Sequence, residues 1–192
     1  MIEKIKRGIA DSIRLKQSVL ADERLLAVVD QVIEVCVAAF RNDNKVFFCG
    51  NGGSAADAQH LAAELSGRFY YDRPPLFAEA LHVNTSFLTA VANDYNFEAV
   101  YARMLEAAGR SGDVLFAMST SGNSPNMVKA ATKGKEMGMT VIGMTGQSGG
   151  QLGPICDYLI NVPSKDTPRI QEVHLLLGHQ MCEVIEATLF PR

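Results

Sequence analysis

Two side chains that can move protons, His60 and Glu64, lie four residues apart in the segment DAQHLAAEL. On a helix this spacing places both side chains on one face, where an imidazole and a carboxylate could serve as acid and base. The same spacing is common in exposed side-chain pairs that have no chemical role, so it is weak evidence by itself. The turn that precedes the helix is more informative.

That turn has the composition of an anion site. The apolar run KVFFCG leads directly into Asn51, Gly52, Gly53 and Ser54, and a helical segment follows. In such a turn, main-chain amides and a helix N-terminus meet at the edge of a sheet, where they can bind phosphate. The alternative is that Ser54 and Asp57 form only a capping box, and the pattern alone does not separate the two interpretations.

A second turn between a strand and a helix is richer in hydroxyl groups. The run DVLFAM is followed by STSGNS, and Pro125 is placed to begin a helix. Helix capping needs only one hydroxyl, and Ser124 is the expected cap. We therefore expect Ser119, Thr120 and Ser121 to bind the oxygen atoms of a phosphate ester.

The absence of two nucleotide-binding motifs limits which phosphate compounds the turns could bind. Neither turn matches GxxxxGK[ST], and neither offers the lysine that a nucleoside triphosphate site would use. The dinucleotide motif GxGxxG is also absent. The two turns therefore predict a site for one small phosphate, as in a monophosphorylated metabolite.

Both turns belong to a regular alternation of strands and helices. Short apolar runs that end near Gly, Pro or Asn recur after residue 44, with helical segments between most of them. This alternation predicts an α/β fold, a three-layer αβα sandwich around a mainly parallel five-stranded sheet, with its site at the carboxyl ends of the strands. The predicted strands are KVFFCG, FAEALHV, DVLFAM, TVIGMTG and YLINVP.

Three further helices are predicted outside this alternation. Residues 1–43 contain two amphipathic helices, whose apolar stripes should pack on the sheet or on a second subunit. The last helix should begin at Thr167 and Pro168 and run to Leu189. We expect one domain over residues 1–192. The stripes are Ile2, Ile5, Ile9 and Ile13 in the first helix, and Leu25, Val29, Val32, Cys36 and Ala39 in the second.

Composition argues against several classes of partner. Lys and Arg number 18 against 21 Asp and Glu, and a net charge of -3 offers no field that would attract nucleic acid or an anionic membrane. The four cysteines form no CxxC pair, which suits a reducing cytoplasm. The charged N-terminus is unlike a signal peptide, and no apolar run reaches membrane-spanning length. We expect a cytoplasmic protein.

The two turns also carry a family resemblance. CGNGGS before a helix and STSGNS after a strand resemble the sugar-isomerase (SIS) family, whose fold is flavodoxin-like. Within it, AADAQHLAAELSGRF, VANDYNFE, MSTSGNSPN and PRIQEVHLLLGH resemble the phosphoheptose isomerases, from Cys49 almost to the C-terminus. The resemblance implies conversion of sedoheptulose 7-phosphate to D-glycero-D-manno-heptose 7-phosphate, the first step of ADP- or GDP-heptose precursor synthesis, by a homotetramer.

The resemblance also implies roles for individual residues. Glu64 and His179 would be the catalytic acid and base. One zinc ion per site would be held by His60, Glu64, Gln171 and His179, although an amide such as that of Gln171 is a less usual zinc ligand. Without the resemblance, Asn93 and Asp94 would be assigned to helix capping. The implied substrate-binding residues are Asn51, Gly52, Gly53, Ser54, Glu64, Asn93, Asp94, Ser119, Thr120, Ser121, Ser124 and Gln171.

The spacing of two of these residues raises a geometric question. Gln171 and His179 are eight residues apart, and on one straight helix they would lie about 12 Å apart along its axis. One metal ion could hardly bind both. We therefore expect different subunits to contribute these two residues, which would place the active site at a subunit interface.

Other functions remain open from the sequence. A non-catalytic SIS protein that associates with the replication initiator has a similar fold, and the C-terminal TLFP resembles it, but such proteins lack the acid and base pair. An isomerase of another sugar phosphate is a second alternative, because the sequence does not distinguish five-, six- and seven-carbon substrates. Among other candidates, His82 and His174 are expected to be structural. Arg68 could complement a helix dipole or reach an anionic substrate.

Overall fold

The centre of the fold is a five-stranded sheet in which every neighbouring pair of strands is parallel, in the order β2-β1-β3-β4-β5. The computed structural model describes all residues, 1–192. The strands are β1 (Val46–Gly50), β2 (Ala78–Ala80), β3 (Val114–Met118), β4 (Thr140–Gly146) and β5 (Tyr158–Val162). The helices are α1 (Ile2–Leu20), α2 (Glu23–Arg41), α3 (Gly53–Ser66), α4 (Thr85–Asp94), α5 (Val100–Ala108), α6 (Pro125–Glu136) and α7 (Thr167–Leu189), with a 3₁₀ turn at Phe97–Ala99.

Alternate residues of the strands supply two hydrophobic cores, one on each face of the sheet. Phe48 and Phe116 point toward α2, α3 and α7, and their rings stack with centroids 4.8 Å apart. Phe47 and Leu115 point the other way, toward α4, α5 and α6. The strands are therefore buried on both sides, as parallel strands usually are. The predicted three-layer αβα fold is confirmed.

One strand of the sheet differs from the prediction. FAEALHV was expected to be a full strand, but only its residues Ala78–Ala80 pair with β1, at the edge of the sheet. The connection from β4 to β5 contains no helix and consists of turns over residues 147–155. Gly149 and Gly150 in this connection both have positive φ, a conformation that glycine adopts without steric cost.

The helices outside the alternation of strands and helices differ in whether their apolar stripes are buried. The apolar stripe of α2 is buried in the core beneath the sheet, from Leu25 to Ala39. The stripe of α1 is not covered in this chain, since its four isoleucines, Ile2, Ile5, Ile9 and Ile13, remain 52–67% exposed. α7 forms as predicted, from Thr167 to Leu189. None of the helices combines the length and the apolarity needed to cross a membrane.

Candidate active site

The two predicted anion turns lie side by side at the carboxyl edge of the sheet. Gly50 at the end of β1 pairs with Met118 at the end of β3, so the turns that follow emerge together. A reciprocal pair of amide hydrogen bonds joins them. Asn51 Nδ2 donates to Asn126 Oδ1 over 2.9 Å, and Asn126 Nδ2 donates to Asn51 Oδ1 over 2.8 Å. Sequence reasoning missed Asn126, because its partner lies 75 residues away and no local pattern marks it.

The first turn leads into α3 without a side-chain cap. α3 begins at Gly53, and Ser54 lies inside it, so the alternative of a Ser54–Asp57 capping box is wrong. Ser54 is buried instead, and Gln171 Nε2 on α7 lies 3.5 Å from its hydroxyl oxygen. A Cβ at Gly53 would lie 2.6 Å from the same Nε2 atom, so a side chain at this position would displace the end of the Gln171 side chain. Ser54 N and Ala55 N donate to Asn51 O and Gly52 O, both at 3.1 Å, so the amides of Gly52 and Gly53 are the ones left available to an anion.

In the second turn the hydroxyl groups face one another. Ser124 occupies the N-cap position of α6, but its side chain does not cap the helix, so the capping role expected for it is wrong. Its Oγ lies 3.0 Å from Ser119 Oγ, which is 3.5 Å from Ser121 Oγ. Thr120 is half-buried, and its carbonyl accepts a hydrogen bond from Gly146 N. Three convergent hydroxyls suit the oxygens of a phosphate group.

The proton-handling side chains also converge. His60 and Glu64 lie on α3, and His60 Nε2 is 3.2 Å from Glu64 Oε1. His179 comes from α7, with its Nε2 2.8 Å from that of His60. One ligand atom from each of the three lies within 4.8 Å of the others. The ring of Phe69 covers His179 at a centroid distance of 5.7 Å. One chain therefore assembles two imidazoles and a carboxylate at one place.

This cluster fits a small divalent metal ion. Neutral imidazole nitrogen and carboxylate oxygen are the donors that zinc accepts. Around a tetrahedral zinc ion with bonds of ~2.0–2.1 Å, neighbouring ligand atoms lie roughly 3.3 Å apart. The separations of 2.8 Å and 3.2 Å around His60 are close to that spacing. Two lone pairs on facing Nε2 atoms would repel, so either a shared proton or a cation must lie between them.

Gln171 is not part of this cluster within one chain. α7 is continuous from Thr167 to Leu189, so Gln171 and His179 are separated by about 12 Å along its axis. Gln171 contacts the beginning of α3 at Ser54, while His179 contacts α3 two turns further along, at His60. A single chain thus brings together three of the four residues expected at a metal ion.

A buried ion pair lies directly behind the cluster. Glu186 accepts hydrogen bonds from Phe69 N at 2.9 Å, Tyr70 N at 2.7 Å and Arg73 Nε at 3.0 Å. Arg73 also donates to the carbonyl of Glu64 at 2.9 Å. Burial alone would raise the pKa of Glu186, but the two amides and the guanidinium outweigh it and lower that pKa. The pair fixes the segment that carries Phe69. Sequence reasoning missed it, because its two members are 113 residues apart.

Asn93 and Asp94 lie at the exposed C-terminal end of α4. Asn93 Nδ2 donates to Asp94 Oδ1 over 2.9 Å, and neither residue caps a helix. The cap in this segment is Asn96, whose side chain accepts from Ala99 N. The capping interpretation of Asn93 and Asp94 is therefore wrong, and their side chains are left to solvent in this chain.

The remaining ionisable residues, His174, His82, Arg68 and Asp57, differ in how deeply they are buried. His174 is buried and its Nε2 lies 3.1 Å from Thr145 O, and burial lowers its pKa to about 4 despite that hydrogen bond. His82 is half-buried with its pKa lowered by burial, and Arg68 is exposed. Asp57, which received no role from the sequence beyond capping, has a buried Oδ2 without a partner one turn before His60. Burial raises the pKa of Asp57, and His60 opposes that shift.

Known proteins resemble this chain over nearly its whole length. The sequence model of the SIS domain matches residues 9–146. A phosphoheptose isomerase from Aneurinibacillus thermoaerophilus is 48% identical over 190 residues, which are 99% of this chain and 96% of that protein. Another from Mycobacterium bovis is 54% identical over 180 residues, 94% of this chain and 92% of its own. The structure of a phosphoheptose isomerase from Neisseria gonorrhoeae matches with a TM-score of 0.90 at 44% identity, covering 96% of this chain and 98% of that one. The chain therefore belongs to the SIS-domain family and, within it, to the phosphoheptose isomerases.

Proposed function

We propose that this protein isomerises sedoheptulose 7-phosphate to D-glycero-D-manno-heptose 7-phosphate, which supplies the first step of ADP- or GDP-heptose precursor synthesis. The observation that carries the proposal is the convergence of His60 and Glu64, on the helix that starts at an anion turn, with His179 from α7. The phosphoheptose isomerases to which this chain is similar support the substrate.

The two turns bind the phosphate end of the sugar. The hydroxyls of Ser119, Ser121 and Ser124 and the amides of Gly52 and Gly53 provide neutral donors, which suits a monoester better than a polyphosphate. Asn51 and Thr120 complete the rim of this pocket. Gly52 and Gly53 let the main chain approach the phosphate closely.

The reaction moves a proton between adjacent carbons of the open-chain sugar. Glu64 removes a proton from C1 of the ketose, and the C2 oxygen gains a proton to give an enediol. His179 serves the C2 side, where it handles the oxygen proton, and it assists ring opening. Loss of the O1 proton and return of a proton to C2 then give the aldose, so protons and electrons balance without an oxidant. Asn93, Asp94 and Gln171 hold the sugar hydroxyls.

Zinc is the metal that we assign to the cluster. His60, Glu64 and His179 would hold it, and Gln171 would be a fourth ligand. When bound, the ion supplies Lewis-acid polarisation of the substrate carbonyl. Coordination makes Glu64 a weaker base, because a dication stabilises the carboxylate. A carboxylate has two oxygens, so Glu64 can alternate between its two roles.

Self-association completes the site in this proposal. Because Gln171 and His179 are about 12 Å apart along α7, they reach one metal ion only if a second copy of the chain contributes one of them. The uncovered isoleucine stripe of α1, 52–67% exposed, offers an apolar surface for such contacts, and we propose a homotetramer. We place it in the cytoplasm, where the four free cysteines would stay reduced.

The test is a direct assay of the purified protein. Sedoheptulose 7-phosphate should be converted to the aldose, with slower turnover of five- and six-carbon ketose phosphates. Glu64→Gln should lower kcat by roughly 10²–10⁴ while light scattering shows the same assembly as the parent. Absence of turnover on any of these sugars, with intact assembly and added zinc, would favour a non-catalytic SIS protein.

The metal assignment has its own measurement. Zinc binding measured by calorimetry should weaken at least tenfold in His60→Ala and in His179→Ala, because each loses one ligand. Glu172→Gln, a change beside Gln171 on the same helix, is the matched control and should bind zinc as the parent does. Equal affinity in all three variants would remove zinc from this cluster.

A further inference from the structure

The connection between β4 and β5 packs its main chain directly against the serine turn. Gly122, Gly149 and Gly150 all have positive φ, at 68°, 68° and 55°. A Cβ on Gly122 would lie 2.2 Å from Gly149 O, and a Cβ on Gly150 would lie 2.6 Å from Gly122 C and from Ser121 O. Real Cβ atoms do not approach backbone so closely, so two loops meet here with no room for a side chain on either.

Hydrogen bonds from the same connection hold the turn along its length. Gly146 N donates to Thr120 O at 2.9 Å, and Leu152 N donates to Gly122 O at 3.0 Å. Gln151 N donates to the side chain of Asn123, also at 3.0 Å. Three residues of the turn are thus held by amides of residues 146–152.

The connection is itself fixed to the core. Leu152 is fully buried among the residues of the core that lies against α5 and α6. Gly149 is buried against Leu159 of β5. The turn therefore rests on a rigid support, although no helix is present in this connection.

This support lies next to the phosphate-binding hydroxyls. Ser121 contributes both its hydroxyl, 3.5 Å from Ser119 Oγ, and the carbonyl that a side chain at position 150 would strike. A displacement of Ser121 and Gly122 would move the hydroxyl of Ser121 away from those of Ser119 and Ser124. The cluster of His60, Glu64 and His179 lies on α3 and α7, whereas the three atoms nearest a Cβ at Gly150 belong to Ser121 and Gly122.

We propose that Gly150 is a positioning residue for phosphate binding, acting through the main chain of Ser121 and Gly122. This inference rests on the proposed function in assigning phosphate to the serine turn. Its consequence is that a change at Gly150 weakens binding of the phosphate end and leaves the proton transfers nearly unchanged.

A matched pair of glycine substitutions tests this inference. Gly150→Ala and Gly149→Ala both place a side chain at a positive φ, so both carry similar backbone strain. Only Gly150→Ala meets the backbone of the serine turn at 2.6 Å, whereas Gly149→Ala meets the flexible end of Leu159 at 3.0 Å. Gly150→Ala should raise KM for the sugar phosphate at least tenfold and change kcat less than threefold. Gly149→Ala should change KM less than threefold.

Two further measurements keep the outcome clear. Inhibition by inorganic phosphate should weaken in Gly150→Ala in parallel with KM, and thermal protection by inorganic phosphate reports the same site without turnover. If Gly150→Ala does not fold, Asn123→Ala removes the side-chain acceptor of Gln151 N and the Nδ2 donor to Ser121 O, and it should raise KM about threefold. An unchanged KM in the folded variant, or equal effects of both glycine changes, would overturn the inference. A parent protein that binds phosphate but isomerises no sugar would instead overturn the proposed function.

Discussion

Replacing Glu186 by glutamine should cost about 3 kcal/mol of folding stability, the lower end of the ~3–5 kcal/mol expected when a buried ion pair loses one partner. The side chains of Arg73 and Glu186 are only 2% and 1% exposed, so water cannot replace the lost charge. The lower end applies because Arg73 keeps its hydrogen bonds to the carbonyls of Glu64, Leu65, Gly67 and Pro74. The glutamine also retains one oxygen for an amide.

Urea unfolding at pH 7 measures this change. A loss of about 3 kcal/mol also corresponds to a fall in Tm of roughly 6–12 °C for a chain of this size. Glu183→Gln, a half-buried position on the same helix, is the control and should lose less than 1 kcal/mol by comparison. A loss below 1 kcal/mol in Glu186→Gln would refute the reasoning that the pair fixes this segment.

The pH dependence of the same variant gives an independent check. The pKa of Glu186 is lowered in the fold, so the unfolded chain binds the proton more readily. Its contribution is therefore present above the ordinary glutamate pKa and is lost as the pH falls through the lower folded value. The stability difference between the parent and Glu186→Gln should shrink in acid. A difference that grew on acidification would contradict the sign.

Three other outcomes are expected. The pKa of His174 is lowered by burial to about 4, so the parent should lose about 3 kcal/mol of stability between pH 7 and pH 4, and His174→Gln, followed by urea unfolding, should show a flatter profile. Glu64→Gln should lower kcat by roughly 10²–10⁴ in a stopped assay of aldose formation, since it removes the proposed base, whereas a loss below tenfold would exclude it from proton transfer. Exhaustive chelation should abolish turnover, and zinc should restore it; full activity after chelation would exclude a metal role.

The sheet was predictable because its signals are local. Each strand is a short apolar run closed by Gly, Pro or Asn, and the register between β1 and β3 then brings Asn51 and Ser119 to the same edge. The pairing of His60 with Glu64 followed from helical spacing alone. The strands and the helical pair are predicted from neighbouring residues, whereas the pairing of β1 with β3 joins segments that are far apart in the chain.

The missed features depend on tertiary contacts, most of them between residues that are distant in sequence. Ser124 was expected to cap α6, but its hydroxyl faces Ser119, a choice that propensity cannot reveal. The amide pair of Asn51 with Asn126 and the ion pair of Arg73 with Glu186 each join segments far apart in the chain. The short β2 reflects its place at the sheet edge, where tertiary context outweighs a strand-like composition.

Because α7 is one continuous helix, it fixes the distances between the site residues that it carries. This helix carries Gln171, His179 and Glu186, so their spacing is set by helical pitch and not by loops. Inserting a single residue between positions 171 and 179 would turn everything downstream by about 100° while Gln171 stayed in place. The contact of His179 with His60 and the ion pair of Glu186 with Arg73 would then be lost together. Insertions and deletions are therefore far less tolerable in α7 than in the turns that join the strands.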